Sequence, residues 1–172
     1  LVTSSFRKVN YHRGEIHSYL GMTMDFAMKK GAVSITMCGY IEDLIKDYDV
    51  TGTVTTPANN NLFEDVEPEP LEPSKSRELH TLVAKLLYLA TRVRFEILLA
   101  VNYLTTRVEK FSRGDWNKAM RVLKYLNNSI DVGLVLCIGD LFNVEVYADA
   151  SYGVHHDGKS YSGDAVKIGG AT

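Results

Sequence analysis

No charge of one sign dominates this chain. Its 19 Lys and Arg stand against 21 Asp and Glu in 172 residues, a formal charge of −2, so the strongly basic balance of a dedicated nucleic-acid binder is missing. Cysteine is scarce: Cys38 and Cys137 stand alone, outside any CxxC or Cys/His spacing. Neither a disulfide framework nor a zinc site is indicated, and a reducing, intracellular compartment is the expectation. Long apolar runs are absent too. The longest, around Ile97–Val101, is far too short to span a bilayer, and no signal-peptide pattern opens the chain. No initiating Met is present, and Gly169-Gly170-Ala171-Thr172 follows directly on a strand-like segment. Both ends are therefore expected to be cut from something longer. The length suits one or two small domains, and 45% hydrophobic content suits a packed core.

Charge is uneven along the chain. Residues 64–73 (EDVEPEPLEP) hold five acids and no base, whereas residues 75–125 hold eleven Lys and Arg against four acids. The second block is a candidate face for a phosphate backbone, although basic residues on amphipathic helices are commonly just solvated.

Hydropathy patterning divides the chain further. Ile16–Phe26 (IHSYLGMTMDF) and Ala32–Met37 (AVSITM) flank Lys29-Lys30-Gly31 and read as a β-hairpin, with Gly31 supplying a positive φ. Tyr40, Ile41, Leu44, Ile45 and Tyr48 fall at helical spacing over 39–49. Residues 51–74 lose periodicity and collect prolines and acids, as a linker or extended strap does. Leu79, Leu82, Val83, Leu86, Leu87 and Ala90 predict a helix with Ser76 as its N-cap. Phe95–Thr106 reads as a second, buried helix. Ser112-Arg113-Gly114-Asp115 has the form of a capping box opening a third, with Lys118, Arg121 and Lys124 along one side. The period then becomes two. Leu134–Cys137 and Val144–Ala148 read as strands joined at Gly139-Asp140, and Tyr161–Ile168 as a third.

In VYADASYG (146–153) a short strand runs into Asp149 and then into small turn residues. This aspartate is either a strand-terminating residue bonding its own turn or a metal ligand on a rigid element. Val144, Val146 and Ala148 are expected on the buried face, leaving Asp149 on the other. Downstream, Gly153–Ser160 matches G-x-x-x-x-G-K-[ST] letter for letter. A P-loop needs a helix opening at its Lys-Ser, and Tyr161–Ile168 reads instead as a strand. Asp157-Gly158 suits a hairpin turn better, and His155 and His156 suit exposed turn positions.

The collinear segments HSYLGMTM, GYIEDLIKDY, TPA, ELHTLVAKLLYLATRVRFEILLAVNYLTTRV, DWNKAMRVLKYL and VYADASYGVHHDGKSYSG resemble the C-terminal half of a Ty1/copia-type retrotransposon reverse transcriptase running into its ribonuclease H domain. The resemblance covers nearly the whole chain, least of all the acidic stretch 62–74. It implies an α+β fold: a primer-grip-like hairpin and short helix over 1–50, an acidic linker over 51–74, a three-helix thumb and connection layer over 75–130, and an incomplete ribonuclease H-like antiparallel sheet over 131–172.

Site roles follow from the same likeness. Leu20, Gly21 and Met22 resemble the primer grip, in which Gly21 would let backbone approach a sugar-phosphate while Leu20 and Met22 anchor the hairpin from alternating faces. From the residues alone, an ordinary strand glycine at a bulge is the favoured reading of Gly21. Lys118, Arg121 and Lys124 become candidate contacts to the backbone of an RNA–DNA hybrid or primer–template duplex. Asp149 becomes the first Mg2+-binding carboxylate of the ribonuclease H site, since two-metal hydrolysis needs several carboxylates around a pair of ions. Phe95-Glu96 stands where the family pattern has Pro-Asp, which blurs the boundary between the first two helices. The polymerase aspartates and the other ribonuclease H carboxylates are expected outside this stretch, so the polypeptide alone is expected to be inactive. The resemblance implies the rest of the polyprotein as partner, no membrane, and a cytoplasmic virus-like particle or the nucleus as location. Two other readings stay open: a non-catalytic nucleic-acid-binding remnant of a degenerate element, and a nucleotide-binding domain using 153–160.

Overall fold

The computed structural model describes residues 13–27, 31–65, 67–137, 144–153, 158 and 160–168. Lys29, Lys30, Gly139, Asp140, His155, His156, Asp157 and Lys159, singled out above, lie outside the described residues. The described residues form four α-helices and two antiparallel sheets, an α+β architecture.

Two consecutive positive φ angles shape the N-terminal segment. Leu20 (φ 51°) and Gly21 (φ 78°) make a two-residue turn. It joins β1 (Ile16–Tyr19) to β2 (Met22–Asp25), with Tyr19 opposite Met22. The stretch expected as one strand is thus a hairpin folded at its centre, and Gly21 lies in the turn rather than at a bulge. The expected hairpin is also present: β2 pairs with β3 (Ala32–Thr36), and Gly31 has a φ of 81°.

Helix α1 (Cys38–Asp47) follows and buries Ile41 and Leu44. Helix α2 (Pro73–Ala90) starts at its proline, whose missing N–H costs nothing in a first turn. Ser76 is therefore not the N-cap: its amide already donates to the Glu72 carbonyl at 2.8 Å, inside the first turn. The α2 stripe Leu79, Leu82, Leu86 and Leu89 is wholly buried, each such side chain contributing about 1.5–3 kcal/mol. The second predicted helix divides into a 3-10 turn, Phe95–Ile97, and α3 (Leu98–Thr105). Helix α4 (Arg113–Asn127) carries the expected capping box: the Asp115 amide donates to Ser112 Oγ, and the Ser112 amide donates to Asp115 Oδ2. Helices α2, α3 and α4 pack into one layer around Leu86, Ile97, Leu104, Leu123 and Leu126, all wholly buried. No helix among the described residues is long and apolar enough to cross a membrane.

Strand β4 (Leu134–Cys137) departs from expectation. It pairs with β3, Ala32 opposite Cys137 and Ile35 opposite Leu134, completing the order β1-β2-β3-β4. The expected hairpin with Val144–Ala148 is not among the described pairings. Ile35 and Leu134 pack together on the core, which favours this partner. The approach depends on Gly133, where an added Cβ would sit 2.6 Å from the Ile35 carbonyl oxygen.

Strands β5 (Val144–Ser151) and β6 (Tyr161–Ile168) pair antiparallel as a separate ribbon, Asp149 opposite Gly163. The face expected to be buried is open: Val144, Val146, Val166 and Ile168 are all more than half exposed. Alternation encodes the ribbon's two faces but does not supply a layer to cover either one.

Candidate nucleic-acid interface

The hairpin tip is exposed but fixed. Tyr19 and Leu20 are 60% and 58% exposed. The Leu20 carbonyl accepts a 2.7 Å hydrogen bond from the Tyr88 hydroxyl on α2, and Met22 packs on the core. A left-handed conformation costs a leucine about 1–2 kcal/mol, so the surroundings hold this turn against a local preference. Met22 anchors the hairpin by its side chain, as expected; Leu20 does so through its carbonyl. The space beside Gly21 belongs to Met37 and Tyr40, 3.5 and 3.8 Å from an added Cβ. The Cβ direction therefore faces the protein, while the Gly21 backbone itself is exposed.

The acidic stretch and the basic helix meet. Residues 51–65 and 67–72 run along α4 from its C-terminal to its N-terminal end. Asn127 donates to the Gly52 carbonyl at 3.2 Å, Arg121 Nη2 to Thr56 Oγ1 at 2.9 Å, and the Gly114 amide to the Glu67 carbonyl at 3.0 Å. The Leu71 amide reaches the Phe111 carbonyl at 3.0 Å, and Pro70 bridges Ser112. Charges pair across this seam, Arg107 with Asp65 at 2.7 Å and Arg113 with Glu67 at 3.7 Å. Exposed pairs contribute at most about 1 kcal/mol each, but they use cations that the local excess suggested were free.

The three basic side chains expected on one face of α4 differ in circumstance. Lys118 Nζ donates to the Glu64 carbonyl at 2.7 Å and the Tyr103 hydroxyl at 3.2 Å, and lies 4.4 Å from the Tyr103 ring centroid. Burial lowers its pKa below the ordinary lysine value. Burial likewise pushes the Tyr103 phenol up to about 12. Arg121 and Lys124, by contrast, have no carboxylate partner among the described ion pairs. Both line a cleft of about 350 Å³ between 54–62 and α4. Sequence reasoning missed Thr56, Glu64 and Tyr103 as partners of these bases. The complementary charge of 64–73 and 75–125 was the signal available, but it carries no register.

Asp149 is exposed, on the ribbon face it shares with Glu145, Tyr147 and Tyr161. Glu145 is engaged by the Tyr147 hydroxyl at 2.9 Å and by Lys167 at 3.4 Å. That hydroxyl bond, and then Lys167, hold its carboxyl below the usual range. Asp164 pairs with Ala148 and so belongs to the opposite face. Among the described residues no three His, Cys, Asp or Glu side chains gather to hold a metal. Asp149 alone does not make a magnesium site, because such sites depend on ligand number and charge. The residues after Ser160 form β6, so the helix a P-loop requires is not there.

No protein family, curated protein or solved structure matches the chain.

Proposed function

We propose that this chain is the thumb and connection segment of a Ty1/copia-type reverse transcriptase, part of a transposable-element polyprotein, and that it grips an RNA–DNA hybrid or primer–template duplex. The observation that carries this reading is the hairpin tip at Leu20. It is strained, tied to α2 by Tyr88, and presents two large side chains to solvent. Strain kept at an exposed, rigidly mounted tip is the pattern of a contact surface, where preorganisation matters more than local stability. Lys124 and Arg121 supply backbone-seeking charge, and Asp149 is the first Mg2+ carboxylate of a ribonuclease H site whose other carboxylates come from other polyprotein segments. When bound there, the ions would activate water and stabilise the leaving oxygen.

The test is fluorescence anisotropy with a labelled RNA–DNA hybrid. Binding should weaken steeply between roughly 50 and 200 mM salt. Leu20→Asn, which tolerates the left-handed turn, should raise stability by about 1 kcal/mol and yet weaken hybrid binding. Unchanged hybrid affinity in that variant would refute the gripping role. With Mg2+ added, the chain alone should leave the hybrid uncut. Turnover abolished by Asp149→Asn would refute the assignment of the missing carboxylates to other segments.

A further inference from the structure

The cleft between 54–62 and α4 has two unlike walls. Met120, Leu62 and Pro57 supply an apolar side, while Arg121 and Lys124, one helical turn apart on α4, supply cations that no carboxylate neutralises among the described ion pairs. Glu67 also lines the cleft, but its carboxylate is engaged by Asn117 Nδ2 at 3.0 Å and by Arg113 at 3.7 Å. A third feature concerns Arg121 itself. Arg121 Nε is buried without a hydrogen-bond partner, although Nη2 of the same guanidinium is satisfied by Thr56. A donor kept from water with no acceptor costs about 1–3 kcal/mol, and a small turn of the guanidinium toward an anion in the cleft would recover it. Asn61 adds a side-chain amide to the lining, with no hydrogen-bond partner among the described residues. A volume of about 350 Å³ falls at the small end of the range for organic ligands.

We propose that this cleft binds one nucleotide unit, its phosphate on Arg121 and Lys124 and its base against Met120, Leu62 and Pro57. An inorganic anion would satisfy only the cations, and an apolar ligand would leave them uncompensated. A nucleotide meets both walls, and the Asn61 amide can donate to and accept from a base edge. This rests on reading α4 as a polyanion-facing helix and refines it from a charged face to one pocket. The unit is either a free nucleotide or one residue of a strand lying beside the strap.

Titration calorimetry of the whole chain with AMP, adenosine, inorganic phosphate and the dinucleotide ApA tests it. AMP should bind at least about tenfold more tightly than adenosine or phosphate, because each of these lacks one half of the recognition. ApA tighter than AMP identifies a strand as the natural source, and AMP equal to or tighter than ApA identifies a free nucleotide; both outcomes uphold the site. Lys124→Gln should weaken AMP several-fold, and Asn61→Asp, which adds a second carboxylate to the cleft beside Glu67, should weaken it further. Neither side chain makes a hydrogen bond or ion pair among the described residues, so both variants should keep the parent's thermal midpoint. Phosphate binding as tightly as AMP overturns the proposal, as does AMP affinity untouched by both variants or no AMP binding at all. If AMP fails to bind while the hybrid still binds and still responds to Leu20→Asn, the cleft is refuted and the gripping role stands. Loss of hybrid binding with AMP binding intact refutes the gripping role alone.

Discussion

Replacing Arg94 by alanine should be among the most damaging single changes in the chain. Arg94 is wholly buried. Its Nε donates to Glu96 Oε1 at 2.6 Å, Nη1 to the Ser129 carbonyl at 2.7 Å, and Nη2 to Ser129 Oγ at 2.6 Å. The guanidinium also lies 5.7 Å from the Tyr125 ring centroid. One side chain therefore fastens the α2–α3 connection to the end of α4. Glu96 is 38% exposed and regains water when the pair is broken, so its share is small. The Ser129 carbonyl does not regain a partner so readily, and truncation leaves a hole of several methylenes. Together these effects place the loss at about 3–5 kcal/mol. With a urea slope of about 2 kcal/mol per molar, the unfolding midpoint should fall by roughly 2 M. Arg94→Lys should recover less than half, since an ammonium cannot reproduce the planar fork. A loss under about 1 kcal/mol, or full recovery by lysine, would show that the buried fork is not what joins these elements.

Two further outcomes follow from the packing. Gly133→Val should push β4 off β3, because the added Cβ would meet the Ile35 carbonyl; amide exchange should then quicken in β3, and unchanged protection there would contradict the close approach. Tyr103, whose phenol is raised by burial from the ordinary 10 to about 12, gives stability that is fully present below pH 10 and is lost as pH rises toward 12, because the unfolded chain ionises first. Tyrosinate absorbance should show a late-titrating component that disappears in Tyr103→Phe, and its persistence would assign the shift elsewhere.

Sequence patterning carried some elements fully and others only in part. The α2 stripe and the Ser112–Asp115 box were readable because each is a local rule satisfied within one or two turns. The Leu20-Gly21 turn was not, because Leu-Gly lacks the Asn-Gly or Asp-Gly signature of such turns and the flanking alternation continues in phase across it. The partner of β4 was hidden for another reason: pairing with β3 rather than β5 is decided by which layer is already in place, and a period of two carries no such information. At the candidate site, the spacing of Lys118, Arg121 and Lys124 put them on one side of α4. It was silent on the strap, whose Glu64 carbonyl and Thr56 hydroxyl take up two of the three. Alternation put Asp149 on the right face of its strand, but the strand runs on to Ser151, so Asp149 is an interior residue and not its end. The exposure of most of both ribbon faces, Tyr161 against Phe63 excepted, depends on what packs there, which strand alternation does not specify.

The position of β4 sets an order of events. Its partner β3 lies roughly a hundred residues earlier, so their ladder closes one of the longest loops in the chain, and such closures come late. During synthesis the N-terminal strands emerge with one edge unpaired and wait until the helical layer has brought Gly133 into place. Any nascent chain halted before Leu134 would hold that edge open, a ready template for another copy of itself.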